Sequence, residues 1–220
     1  MGLGHQKIDA CKNDCVLFWK EYEGRDQCPI CEAPRYKERL PEESQSSNQK
    51  KKHGKRVPHK VLRYFPLKDR LQRLFMSSKT ASWMTWHNDG RSLRENGEMR
   101  HPADSPAWLH FDSLYPDFAI EKRNVRLGLA SDGFNPFANM SRRYSLWPVM
   151  IVVYNLPPWM CMKQTYTMMS LLIPGPTEPG NDIDVYLQPL IEELKELWVN
   201  GVETYDISKK QNFQMRAAVL

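Results

Sequence analysis

The stretch "RNVRLGLASDGFNPF", Arg123 to Phe137, decides the fold. From Val125 it has the length and alternation of a β-strand, then meets Asp132 and turns at Gly133. Strand side chains alternate between faces, so Val125, Leu127 and Leu129 share one face. Arg126, Gly128, Ala130 and Asp132 share the other. Two very small neighbours leave room beside the acid for a helix, an ion or a phosphate. Gly133 lets the chain turn sharply, and Asn135–Pro136 marks a turn before the next strand. Two readings follow. Asp132 projects from a rigid strand end towards an open edge, or it is a turn former whose carboxylate bonds nearby amides.

Downstream, "SLWPVMIVVYNL" is apolar and β-branched, and "TYTMMSLLIPG" ends at Pro174 and Gly175. Both read as strands. In "DVYLQPLIEELKELWVNGV", Leu187, Leu190, Ile191, Leu194, Leu197 and Trp198 recur at helical spacing. Pro189 starts or kinks that helix, and Gly201 stops it. Asp182 and Asp184 precede it and are expected to cap it. "NFQMRAAVL" resumes strand character. Three strands, a helix and a further strand predict an α/β architecture with a mixed sheet. That order is expected of the opening half of a ribonuclease H-like fold, in which one acid on the first strand and a second at or just beyond the fourth hold metal ions between them.

Upstream, Cys11, Cys15, Cys28 and Cys31 read C-x3-C-x12-C-x2-C, with Cys161 apart. Four thiolates complete a closed tetrahedral zinc shell, and Pro29 favours a tight turn. A disulfide framework would need an oxidising compartment, which no signal peptide indicates. "VLFW", Val16 to Trp19, is expected to pack over the metal, which would carry much of the folding energy of so small a module.

The net charge of +5 is mild, but it is concentrated. Lys50, Lys51, Lys52, Lys55, Arg56, Lys60 and Arg63 fall in a run without an acid. Such a block pairs with phosphates, serves as a nuclear address, or is a solvated linker. "PEESQSSNQ" before it reads as a linker. "PLKDRLQRLFMS" places Leu67, Leu71, Leu74 and Phe75 on one helical face, with Lys68, Arg70 and Arg73 elsewhere. A helix is expected through "TASWMTWHN" with Thr80 as its cap. Another is expected from "SPAWLHFDSLY", with Ser105 capping, Pro106 at the first position and Pro116 ending it. His87, His101 and His110 match no metal-ligand spacing and are assigned to packing or surface. With 41% apolar residues the chain can fill a core, and no stretch reaches the ~20 apolar residues that span a bilayer.

The expected organisation is a zinc-knuckle module over 1–40, a polar then basic linker over 41–60, a helical region over 61–120, and a catalytic core over 121–220. The chain resembles the transposases of plant CACTA-type, En/Spm-like DNA transposons. The likeness runs through "ACKNDCVLFWKEYEGRDQCPICEAPRYKE", "KVLRYFPLKDRLQRLFMSSKTASWMTWH", "RHPADSPAWLHFDSLYPDFA", "NVRLGLASDGFNPFANMSRRYSLWPVMIVVYNLPPWMCMK" and "SLLIPGPTEPGNDIDVYLQPLIEELKELWVNGVETYD".

That resemblance implies a ribonuclease H-like nuclease with three catalytic acids, two magnesium or manganese ions, DNA as partner (transposon ends and target) and a nuclear site of action. Asp132 matches the first acid, and the four cysteines match the N-terminal zinc motif. The second and third acids belong to motifs beyond Leu220. The chain is therefore expected to be an N-terminal fragment, inactive alone, working with the remainder of a longer transposase or its oligomer. The competing expectation is a non-enzymatic, zinc-dependent nucleic-acid or protein-binding module.

Overall fold

The computed structural model describes residues 4–38, 56–90, 99–137 and 144–220. In chain order the elements begin with β1 (Gln6–Ala10), β2 (Lys60–Tyr64), α1 (Lys68–Met76), α2 (Trp86–Asp89), α3 (Pro106–Leu114) and α4 (Pro116–Ile120). They continue with β3 (Val125–Ser131), β4 (Trp147–Val153), α5 (Pro158–Cys161), β5 (Met168–Ile173) and α6 (Ile183–Val199). The last three are β6 (Val202–Asp206), β7 (Gln211–Met215) and β8 (Ala217–Val219).

One mixed sheet organises the chain, with the order β1-β2-β5-β4-β3-β8. β3, β4 and β5 form an antiparallel meander. The chain then crosses through α6 and the β6–β7 hairpin, and β8 returns parallel to β3 on its free side. The mixed α/β sheet expected from the strand order is present. Alternation decides its two faces. Ile8, Leu62, Leu171, Val149, Ile151, Val153 and Leu127 are buried on one face and form the main core with Leu71, Phe75, Tyr186, Leu190 and Leu197. Pro148, Met150, Val152 and Leu172 lie on the other face and are only half-buried. α1 and α6 therefore cover the first face, because each presents an apolar stripe at helical spacing.

Several local expectations meet the structure directly. α1 buries Leu71, Leu74 and Phe75. Ser105 caps α3, its side chain accepting the Trp108 N–H at 3.2 Å, with Pro106 in the first turn. Pro116 lies just past the end of α3 and itself opens α4. Gly201, at φ +64°, stops α6.

Others differ. "TASWMTWHN" gives only a 3-10 turn over Ala81–Trp83 and the short α2. The Thr80 hydroxyl donates to the Leu74 carbonyl at 2.6 Å instead of capping. Asp182 occupies the N-cap position of α6 but makes no capping hydrogen bond. Pro189 lies inside α6 rather than starting it. "NFQMRAAVL" is two strands, not one. It breaks at Arg216, whose N–H donates to Asn124 Oδ1 at 2.9 Å and whose Nε donates to the Trp198 carbonyl at 2.7 Å. β1 and β2, from the stretches assigned above to the zinc-knuckle module and, for all but Lys60, to the helical region, pair with each other and extend the sheet beyond β5.

Candidate functional site

Burial falls along β3. Val125 to Gly128 are buried, Leu129 and Ala130 are exposed, and Asp132 stands exposed just past the strand. At the buried end Arg126 is held by Asp112, with Nη2–Oδ1 at 2.6 Å, and packs over the Trp108 ring at 4.6 Å. The space left by Gly128 is already filled, because a Cβ there would stand 2.1 Å from the Tyr154 hydroxyl. It holds a phenol, so no ion or phosphate enters there.

The pairing of β3 with β4 continues past Ser131–Val149, because Phe134 and Leu146 exchange both backbone hydrogen bonds at 2.9 Å. The register therefore places Asp132 opposite Pro148 and Gly133 opposite Trp147. A Cβ on Gly133 would meet the Trp147 ring at 2.7 Å, which explains the glycine. Asp132 Oδ1 accepts the Gly133 N–H at 2.8 Å. The turn-forming reading thus describes one oxygen, while the carboxylate as a whole faces solvent from a fixed strand end.

The four cysteines converge. The Sγ atoms of Cys11, Cys15, Cys28 and Cys31 all lie within 4.8 Å of one another, and Cys11 and Cys31 are 3.5 Å apart. A tetrahedral shell with bonds of about 2.3 Å needs sulfurs about 3.8 Å apart, so the set lies within small adjustments of a zinc shell. Two similar turns build it. The Cys11 N–H donates to the Val16 carbonyl at 3.0 Å, and the Cys28 N–H donates to the Ala33 carbonyl at 2.9 Å. Each turn uses one left-handed residue, Asp14 at φ 62° and Glu32 at φ 57°. The backbone N–H of Ala33 beside Cys31 lowers that thiol to about 6, while burial raises Cys11 and Cys15. These four residues could hold a metal ion such as zinc. Val16 and Phe18 pack against them, whereas Leu17 and Trp19 turn to the main core. Cys161 is buried elsewhere, and burial raises its thiol to about 11.

Of the basic run, Lys50, Lys51, Lys52 and Lys55 lie outside the described residues. Arg56 pairs with Asp26 at 2.7 Å on the surface. Lys60 points into the protein, with Nζ 2.6 Å from Asp14 and its side chain 10% exposed. Arg63 is exposed on β2. On α1, Lys68 pairs with Glu196 and Arg70 donates to the Met169 carbonyl at 2.8 Å. His87 and His101 are buried, as packing residues would be, and His110 is exposed. Among the described residues, none of the three joins a group able to hold a metal.

A family model described as transposase family tnp2 matches residues 96–220, more than half of the chain. The chain belongs to that family. No curated protein matches it, and no solved structure does. The span shared with the tnp2 transposases takes in every strand from β3 to β8, together with Asp132, and leaves out the four cysteines, β1 and β2. No helix among the described residues is long and apolar enough to cross a membrane.

Sequence reasoning missed Lys7. It is a lone cation between Gln6 and Ile8, and only the pairing of β1 with β2 brings it opposite Arg63. It also missed the roles of Arg126 and Asp112, which contact each other across fourteen residues of sequence.

Proposed function

We propose that this tnp2-family chain carries the opening half of the ribonuclease H-like core of a DNA transposase of the CACTA type, acting in the nucleus. The observation that carries the reading is the placement of Asp132. It is an exposed acid at the end of a strand flanked by an antiparallel meander on one side and a parallel strand, β8, on the other. The pairing of Val125 with Ala217 and of Leu127 with Val219 sets the parallel register. A strand continuing four residues past Leu220 in that register would draw level with Asp132. Two acids on adjacent parallel strands are one arrangement able to hold the divalent ions that act on a phosphodiester.

In this reading Asp132 is a ligand for magnesium or manganese, since a carboxylate is the hard oxygen donor such ions prefer. Bound there, the ions supply activation of the attacking oxygen and stabilisation of the leaving one. What this chain contributes is orientation. The Trp147 ring over Gly133 and the Phe134–Leu146 pair fix the strand end, so Asp132 meets its ligand without reordering. Cys11, Cys15, Cys28 and Cys31 hold a structural zinc, closed to substrate.

The test is cleavage of transposon-end DNA with magnesium. The 220-residue chain, supplying one acid, is expected to leave the DNA intact. A longer tnp2 transposase containing this segment is expected to cleave it, and Asp132→Asn to abolish that cleavage. Asp132-dependent cleavage by the 220-residue chain alone would overturn its inactivity. Cleavage unaffected by Asp132→Asn in the longer enzyme would overturn the catalytic assignment.

A further inference from the structure

Arg56, Lys60 and Arg63 are the described cations of the basic run, and two of them are already occupied. Lys60 is paired with Asp14, and Arg56 with Asp26. The third lies on the half-open face of the sheet. Lys7 on β1 is directly opposite Arg63 on β2, Arg63 is opposite Leu172 on β5, and Leu172 is opposite Pro148 on β4. Pro148 in turn is opposite Asp132 through the register that Phe134 and Leu146 extend. The five residues form one cross-strand row. Their neighbours in sequence, Ile8, Leu62, Leu171 and Val149, are buried on the other face. The row itself is exposed at Lys7, Arg63 and Asp132 and half-buried between them.

Two like charges directly opposite each other on a sheet repel. Neither Lys7 nor Arg63 makes an ion pair or side-chain hydrogen bond among the described residues, so none of those residues relieves the repulsion. A lysine on an edge strand also discourages strand pairing. That reason does not extend to Arg63, which lies on an interior strand between β1 and β5. An anion lying over the row would satisfy both cations. Strands are spaced about 4.8 Å apart, so Arg63 is roughly 14 Å and Lys7 roughly 19 Å from Asp132 along the row. At 3.4 Å per base pair this corresponds to about four to six base pairs of duplex.

We propose that Lys7 and Arg63 form a phosphate clamp for the DNA duplex whose cut strand is presented to Asp132, with the duplex running across the half-open face of the sheet. The inference rests on the functional reading only in naming Asp132 as the place of cleavage; the row itself rests on strand register.

The test measures binding of the 220-residue chain to a labelled 30-base-pair duplex of mixed sequence, without magnesium, over a range of salt. The double variant Lys7→Gln, Arg63→Gln is expected to bind roughly tenfold more weakly at low salt. The slope of log K against log salt should fall by about two, one for each phosphate released. A control with the same charge change, Lys195→Gln with Lys209→Gln, alters exposed lysines on α6 and on the hairpin turn and is expected to bind as the parent does. Asp132→Asn removes a negative charge from the path of the DNA and is expected to tighten magnesium-free binding several-fold.

An unchanged salt slope in the Lys7, Arg63 variant, an equal loss in the control, or no binding by the parent chain would overturn the clamp. Asp132→Asn without effect on binding would overturn the shared row. Failure of the catalytic reading appears elsewhere, as magnesium-dependent cleavage that survives Asp132→Asn, and leaves these binding results standing.

Discussion

Lys60 and Asp14 form an ion pair at 2.6 Å that joins the cysteine turn to the sheet. Asp14 takes its left-handed conformation between Cys11 and Cys15, and its carboxylate also accepts the Tyr186 hydroxyl of α6. Both charged side chains are largely shielded from water, at 10% and 14% exposure, so solvent screens the pair only weakly. A metal ion held by Cys11 and Cys15 would fix the turn that aims Asp14, and so would couple metal loading to the seating of β2 and α6. Zinc removal by a chelator is expected to reduce amide-exchange protection in β2 and α6, not only around the cysteines. Asp14→Ala should lower stability by about 2–3 kcal/mol, since Lys60 is left unpaired in a half-buried site. It should also restore the protection of α6 to one value with and without zinc. Equal protection of α6 in the zinc-loaded and stripped parent would show that the two parts are independent.

His87 gives the chain an acid-sensitive point. Burial, with Arg126, His101 and Lys122 adding positive charge nearby, lowers the pKa of its imidazole to about 3, and the ring packs against Trp108 at 5.2 Å. An unfolded histidine takes up a proton near 6.5. Between those values the unfolded chain binds a proton that the folded chain refuses, so stability falls as pH drops from about 7 towards 3. The contribution of this one group is up to about 1.4 kcal/mol per pH unit in that window. Denaturant midpoints measured from pH 7 to pH 4.5 should show a shallower decline for His87→Phe than for the parent. A parallel decline would mean that His87 does not remain neutral in the folded chain.

Gly128 is expected to resist substitution for a reason confined to one neighbour. Its absent Cβ would meet the Tyr154 ring and hydroxyl, at 2.2 and 2.1 Å. Gly128→Ala should therefore cost about 1–3 kcal/mol through overpacking. Tyr154→Ala vacates that space, so the double variant should recover most of the penalty of the alanine. Additive losses in a thermal-unfolding cycle would place the constraint on the β3 backbone instead.

The parts legible in the sequence are those written in local pattern. Cys11 to Cys31 carried their geometry in spacing, and the alternation from Val125 to Ser131 together with the stripe of α6 gave a mixed sheet. β1 and β2 were not legible, because Gln6–Ala10 and Lys60–Tyr64 are short, carry charged residues and acquire strand conformation only by pairing across some fifty residues of chain. The break at Arg216 was hidden for a similar reason. Its cause is Asn124 and Trp198, residues distant in sequence. Asp132 lay between these cases. Its local pattern allowed both a turn and a site, and the Phe134–Leu146 pair shows how one residue takes part in the turn and still faces solvent.

Glu193 provides a further check on how the helices are set against the sheet. From the middle of α6 its carboxylate accepts the backbone N–H groups of Leu67 and Lys68 at 2.8–2.9 Å and the Tyr64 hydroxyl at 2.6 Å. The N-cap position of α1, Leu67, offers no side-chain oxygen of its own, so a neighbouring helix supplies the cap. A carboxylate there also complements the positive end of the α1 dipole. Glu193→Gln retains one acceptor and should cost about 1 kcal/mol, whereas Glu193→Ala leaves two N–H groups and a hydroxyl without a partner and should cost about 2–3 kcal/mol. In the alanine variant, amide exchange should accelerate first in Leu67 to Arg70 and at Tyr64. Protection unchanged there, with the loss confined to α6, would show that Glu193 acts within its own helix and does not hold α1 in place.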